Sequence, residues 1–253
     1  MTIHFSPLHK KVLSLFETPT ETETIISLKD YKILALVILC GSMVAPFLLL
    51  HGLNETTAIN AALLLNTEAL FTALLAFIFL KERGEGKDYL GILLLLLGVA
   101  VLATNAEFQR LTLTEQVYGN LLIVGACLFW GIDNNLSRFL SQKRDIVMVS
   151  GLKCTIGGSS LLVISQLLGI GFTVPLVSIP YLLTVGALSI AFSILLFLFA
   201  LREIGSMRTG VLFSTSSLFG ALFAFGVLGE PFSPIQLLAG LTMICGVYLL
   251  YRR

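Results

Sequence analysis

Charge is what this chain has least of: of its 253 residues only 12% are Asp, Glu, Lys or Arg against 56% apolar, and long windows carry no charge at all. One core cannot hide that much apolar surface, so the composition excludes a water-soluble domain and points to an all-α integral membrane protein. Cysteine is scarce as well. Cys40, Cys127, Cys154 and Cys245 fall at irregular spacings inside apolar runs, which gives neither a disulfide framework nor a zinc site, and no other metal set stands out. The sequence has no Gly-rich phosphate loop with its lysine, no paired-histidine motif and no Gly-x-Ser-x-Gly elbow. ATP-driven and hydrolytic chemistry therefore have no residues to run on, and neither an enzyme nor a cofactor is expected.

What is present is a series of Leu- and Ala-rich runs of about 17–25 residues, the length of membrane-crossing helices and not of the alternating strands of a barrel. Eight spans are predicted, at 33–51, 56–80, 88–104, 118–138, 147–169, 179–201, 208–228 and 234–251. Pro46 lies well inside the first, beside Gly41 and Ser42, and predicts a kink that serves as a hinge, a cavity wall or an ordinary bend. Residues 1–32 carry His4, His9, Lys10, Lys11 and acidic residues without an apolar core long enough for export, so they are expected to form a cytoplasmic tail. Of the sixteen basic residues, Lys153 lies inside a span, Arg110 lies in an outer loop and the rest gather on one side, which places both termini in the cytoplasm.

The chain also nearly repeats itself. Residues 70–82 read LFTALLAFIFLKE and residues 218–230 read LFGALFAFGVLGE, an offset of 148 that continues through Thr67/Thr215, Gly98/Gly246 and Val99/Val247. Five predicted crossings separate Glu82 from Glu230, and an odd number puts the two glutamates on opposite faces. The repeats are then inverted, an architecture that gives a carrier two states of similar energy, one open to each side. Subtracting the offset from the first two spans of the second copy reaches residues that cannot span. The expected organisation is therefore a tail at 1–32, a three-helix first repeat at 33–104 and a five-helix second repeat at 118–251.

The two segments NTEALFTALLAFIFLKER, Asn66 to Arg83, and STSSLFGALFAFGVLGEP, Ser214 to Pro231, resemble the hallmark of the drug/metabolite transporter superfamily in its branch of EamA-type carriers. The likeness runs from about residue 33 to the end. It implies ten helices in two inverted five-helix repeats with a central substrate path, so that this chain lacks the first two. The family's proline after the hallmark glutamate is replaced by Ala69, and Ser216 and Ser217 stand where Glu-Pro is usual, which weakens the expectation of a helix break at either place.

Glu68, Asp133 and Lys153 are the charged side chains clearly within spans, and a charge at such depth costs at least about 2.5 kcal/mol unless it faces a cavity or a partner. Counted from the same membrane face, Asp133 and Lys153 lie at similar depths and can pair, either as a neutralised lock between neighbouring helices or as groups for which a substrate or proton competes. Trp130, Asp133 and Asn134 stand at i, i+3 and i+4, so one face is expected to offer an aromatic wall, a carboxylate and an amide. Glu68, mid-helix in 56–80, either hydrogen-bonds within the bundle or lines the path, where it binds a cationic group or cycles a proton. Glu82 and Glu230 end helices at membrane faces and read as interface and turn residues.

The inverted repeat, the topology and the intramembrane charges point to a secondary carrier working by alternating access across the cytoplasmic membrane, and the resemblance implies that it moves a small polar metabolite, amino-acid-like or related. The alternative is a transport-inactive membrane scaffold or assembly subunit derived from a truncated carrier. The partners to expect are the lipid bilayer, a small-molecule substrate, a coupling proton and a second copy in a homodimer, with no nucleic acid.

Overall fold

The computed structural model describes residues 28, 30–80, 86–103, 115–142, 144–169, 174–203, 205–231 and 233–251. Among them the chain forms α1 (Asp30–Glu55), α2 (Ala58–Leu64), α3 (Thr67–Leu80), α4 (Gly86–Ala103), α5 (Glu115–Ser141), α6 (Ile146–Leu167), α7 (Leu176–Glu203), α8 (Gly205–Leu228) and α9 (Pro234–Tyr251), with no strand. Helices follow from the apolar runs because, away from water, each backbone N–H and C=O must find its partner within its own segment. Among the described residues five segments are long and apolar enough to cross a membrane, Asp30–Glu55, Ala58–Ile78, Gln116–Ser141, Ile146–Leu167 and Leu176–Glu203, and shorter apolar helices lie at Tyr89–Leu102, Phe219–Leu228 and Pro234–Leu249. Glu82 and the tail through residue 27 lie outside the described residues.

Two helices depart from regular α geometry at related positions. In α1 the backbone widens into a π-helix over Ile38–Val44 and returns to α at Ala45, with Pro46 in the new first turn. The wider turn accommodates the missing proline N–H, so the predicted kink takes the form of a change of helix type. In α7 a second π segment covers Val185–Phe192, which is where the first falls after the 148-residue shift.

The span expected to run unbroken over 56–80 does not. It is interrupted at Leu65 and Asn66, where Asn66 N–H bonds to Leu63 O and Glu68 N–H to Leu65 O, both at 3.1 Å, so the helix tightens between α2 and α3. Glu68 thus lies in the first turn of α3 and at the middle of the Ala58–Ile78 segment. Ala69 supplies no proline to cause this. The Asn66 side chain does, by donating from Nδ2 to Leu63 O at 3.0 Å and competing with the regular ladder.

Helix association in lipid has little water-exclusion drive and depends on close packing over small residues. The α4–α9 contact is extensive, and it is reciprocal under the 148 shift. Gly98 lies against Ala239 and Met243, while Gly246 lies against Gly91 and Leu95. Gly52 and Gly119 bring α1 and α5 together in the same manner, a Cβ on either meeting the other's carbonyl at 2.8 Å.

The buried apolar residues form two clusters. One gathers Leu64, Leu70, Leu95, Ile123, Cys127 and Met243, and the other Leu34, Val37, Leu140, Ile146, Leu198 and Leu201. α5 passes through both. Between its contributions to the first, Ile123 and Cys127, and to the second, Leu140, it carries Asp133, Asn134 and Ser137, all buried. By contrast α7 is almost uncovered over residues 176–192, with Leu176, Val177, Tyr181, Leu183 and Leu188 each more than 60% exposed.

Candidate functional site

The site is the polar layer between the two apolar clusters, where α1, α3, α5 and α6 meet. Among the described residues its three charges, Glu68, Asp133 and Lys153, are the charged side chains that are buried. Lys153, on α6, donates from Nζ to both carboxylate oxygens of Asp133 at 2.8 Å. Ser137, one turn after Asp133, donates to Asp133 Oδ1 at 2.8 Å and accepts from Lys153 at 3.3 Å. The pair is thus desolvated but well satisfied, the condition under which a buried ion pair is tolerated.

Glu68 belongs to a second, adjoining set. Asn134 donates from Nδ2 to Glu68 Oε1 at 2.7 Å and to Thr72 Oγ1 at 3.2 Å. Asn135 fastens the same helices by donating to Thr72 O at 3.0 Å and Gly131 O at 2.9 Å. The formal charges of the layer sum to minus one, because Lys153 is matched by Asp133 and Glu68 has no cationic partner among the contacts described.

Trp130, Asp133 and Asn134 do not form one open face. Each turns to a different neighbour: the Trp130 indole donates from Nε1 to Gly41 O on α1 at 3.0 Å, Asp133 faces Lys153 on α6, and Asn134 faces Glu68 on α3. Spacing along α5 gave their shared side but not the three helices packed around it. Gly41 lies in the π segment, and a Cβ there would collide with the Asp133 carboxylate, so the approach of α1 to the ion pair requires glycine. Gly157 on α6 is held as close against Ser42. Gly41, Thr72 and Ser137 were not singled out as site residues from sequence. For Ser137 the available signal was its position one turn from Asp133.

Glu230 has a role that its sequence position does not disclose. Gly229, with φ of +70°, turns the chain at the end of α8. The Glu230 carboxylate then reaches back to accept from Ala58 N–H and Ile59 N–H, each at 3.0 Å. It caps the first turn of α2, where the N-terminal end of a helix favours negative charge. Gln236 adds a second tie by donating from Nε2 to Asn60 Oδ1 at 2.7 Å. At the opposite end of the bundle Arg202 donates to Ser141 O and Arg144 O, both at 2.6 Å, and Arg144 pairs with Asp30 at 2.5 Å. Ties therefore close the bundle at both ends while the charged layer lies between.

The model of the EamA-like transporter family matches residues 12–104 and 117–252. The chain belongs to the EamA-like transporter family. It is 45% identical over 249 residues to an uncharacterized transporter of Methanothermobacter thermautotrophicus, covering 98% of this chain and 73% of the relative. It is 25% identical to the Bacillus subtilis uncharacterized transporter YyaM, covering 78% of this chain and 65% of that protein. An uncharacterized transporter of Archaeoglobus fulgidus is 26% identical over 202 residues, with 78% and 68% covered. A solved crystal structure matches at a TM-score of 0.64 over 97% of this chain and 82% of its own, and at 17% identity that likeness concerns the fold alone. Family membership and the membrane-length helices make this a multi-pass membrane protein in contact with the bilayer, with a transporter role.

Proposed function

We propose that the protein is a secondary carrier of a small polar metabolite, amino-acid-like or related, working by alternating access across the cytoplasmic membrane with both termini inside. The observation that carries the proposal is the layer of Glu68, Asp133, Lys153, Asn134 and Thr72 held between two apolar clusters. Charged groups at membrane depth are costly and mark substrate and ion pathways. Lys153 suits a substrate carboxylate, Asp133 and Glu68 suit an ammonium group, and Asn134 discriminates by hydrogen bonding. Glu68, without a cationic partner in the layer, carries the charge balance of the cycle, either with a proton or with the cation of the substrate.

The two-repeat organisation, 33–104 and 118–251 in opposite orientations, belongs to the same proposal. It is supported by the reciprocal α4–α9 contact and the two π segments one repeat apart. The inward orientation of the termini is supported by the Arg144 and Arg202 ties at one end of the bundle.

The test is uptake of labelled zwitterionic amino acids into liposomes containing the purified chain, compared with Glu68→Gln at equal membrane abundance. Uptake above empty liposomes that changes in the variant supports the carrier, and unchanged kinetics across pH removes Glu68 from the path. The exposed face of α7 favours the second reading, a scaffold or assembly subunit that docks other helices there. Absence of uptake together with stable association of another membrane protein would select that reading.

A further inference from the structure

We propose that the tightened turn between α2 and α3 is a binding site for a monovalent cation, sodium, formed by Asn66, Thr67, Glu68 and the carbonyl end of α2. The first observation is two oxygens without partners. Asn66 Oδ1 and Thr67 Oγ1 are buried and accept no hydrogen bond, and both residues are 1% exposed. Buried oxygens of this kind are rare, and each calls for a ligand, since leaving it empty forfeits its full solvation. The Asn66 amide is fixed by its Nδ2 bond to Leu63 O, so Oδ1 is presented in one orientation.

The second observation is the backbone. With Glu68 N–H turned to Leu65 O, the Leu64 carbonyl is met by Cys127 Sγ at 3.6 Å, a weak thiol contact. Interrupted membrane helices whose C-terminal carbonyls face a cavity or core are the usual sodium ligands of carriers, joined by hydroxyl, amide and carboxylate oxygens. The corresponding stretch of the second repeat, around residues 213–216, lies within the unbroken helix Gly205–Leu228. The interruption therefore accompanies the Asn-Thr-Glu triplet and not the repeat as such.

The third observation is charge. With Glu68 ionised the layer is one positive charge short, and Glu68 Oε1 is engaged by Asn134. A monovalent cation restores neutrality, whereas a divalent ion would overshoot it. A proton on Glu68 would also restore neutrality, but it offers one hydrogen bond and cannot serve Asn66 and Thr67 together. Residues Asn60 to Leu64 are each 7% exposed or less, and packing this tight favours the smaller of the common monovalent cations. The charged and titratable groups around Glu68 are Asp133, Lys153 and Cys127, Asn134 bonds both Glu68 and Thr72, and among these Lys153 is the competing cation.

The inference rests on the carrier reading only for its purpose, which is coupling; its detection needs no substrate. The full chain in detergent is heated in sodium chloride, potassium chloride or N-methylglucamine chloride at equal ionic strength. At about ten times the half-saturating concentration, sodium is expected to raise the unfolding midpoint by about 3–6 °C over the other salts. Thr67→Ala should weaken apparent sodium affinity at least tenfold, Thr67→Ser should retain it, and Glu68→Gln should abolish it. Equal midpoints in the three salts, or an unchanged response in Thr67→Ala, would overturn the site. A midpoint that rises with falling pH but ignores sodium would also overturn it, in favour of a proton. Uptake that persists without any sodium response would sink the site and leave the carrier standing.

Discussion

Replacing either member of the Asp133–Lys153 pair leaves an unpartnered charge among buried groups, because both side chains are almost fully covered and each provides the other's principal contacts. Removing one partner of such a pair costs about 3–5 kcal/mol. Against a whole-protein stability of about 5–15 kcal/mol, Asp133→Asn or Lys153→Met alone should lower the unfolding midpoint by about 6–20 °C and reduce membrane yield. The double variant removes both charges, and Ser137 keeps a hydrogen-bond partner in the asparagine amide. It should regain most of the lost midpoint, to within about 1 kcal/mol of the parent. Transport separates the two roles the pair can have. If substrate competes for the pair, the double variant is stable and inactive; a double variant with normal uptake would leave the pair a structural lock. The measurement is a fluorescence-monitored thermal scan of the detergent-solubilised chain, set beside liposome uptake by the same four proteins. Single variants with parental midpoints would refute the reasoning, since they would mean that water reaches these charges and that burial does not set their energetics.

Gly41→Ala should act through the same pair, because its methyl group meets a short carboxylate that cannot swing away; a stability loss of about 1–3 kcal/mol is expected. Gly158→Ala, with nothing within 4 Å, should be neutral and serves as the control. Glu230→Ala removes two charge-assisted hydrogen bonds from the start of α2, a loss of about 1.5–3 kcal/mol. Hydrogen exchange should accelerate at Ala58 and Ile59 before it does in α9, and unchanged protection there would contradict the capping role. Glu68→Gln should preserve membrane abundance while altering the pH dependence of uptake.

The fold class was legible because it depends on composition and run length, which lipid reads directly. Depth counting likewise put Asp133 and Lys153 at one level, since along a helix depth is proportional to residue number, and the structure brings them to 2.8 Å. What stayed hidden depends on a neighbour far away in the chain. Glu230 looked like an interface residue because the amides that it caps are 172 and 171 residues away. The first π segment had a signal in Pro46, whereas the second, over Val185–Phe192, had none, since widening a helix changes which carbonyl an amide finds but requires no particular residue. The interruption at Leu65–Asn66 was discounted for want of proline, whereas an asparagine side chain bonding to Leu63 O accompanies it. Trp130, Asp133 and Asn134 were expected to share one face of α5, but the partner of each is set by packing, which periodicity does not encode.

The central claim is that the polar layer faces each side of the membrane in turn. Thr72, buried beside Asn134 in that layer, can be tested as Thr72→Cys in a chain whose own four cysteines are replaced. A membrane-impermeant thiol reagent would be applied to right-side-out and to inside-out vesicles. The account predicts labelling from both sides, with each rate changed when a transported substrate is supplied. Labelling from one side alone, or from neither, would contradict it.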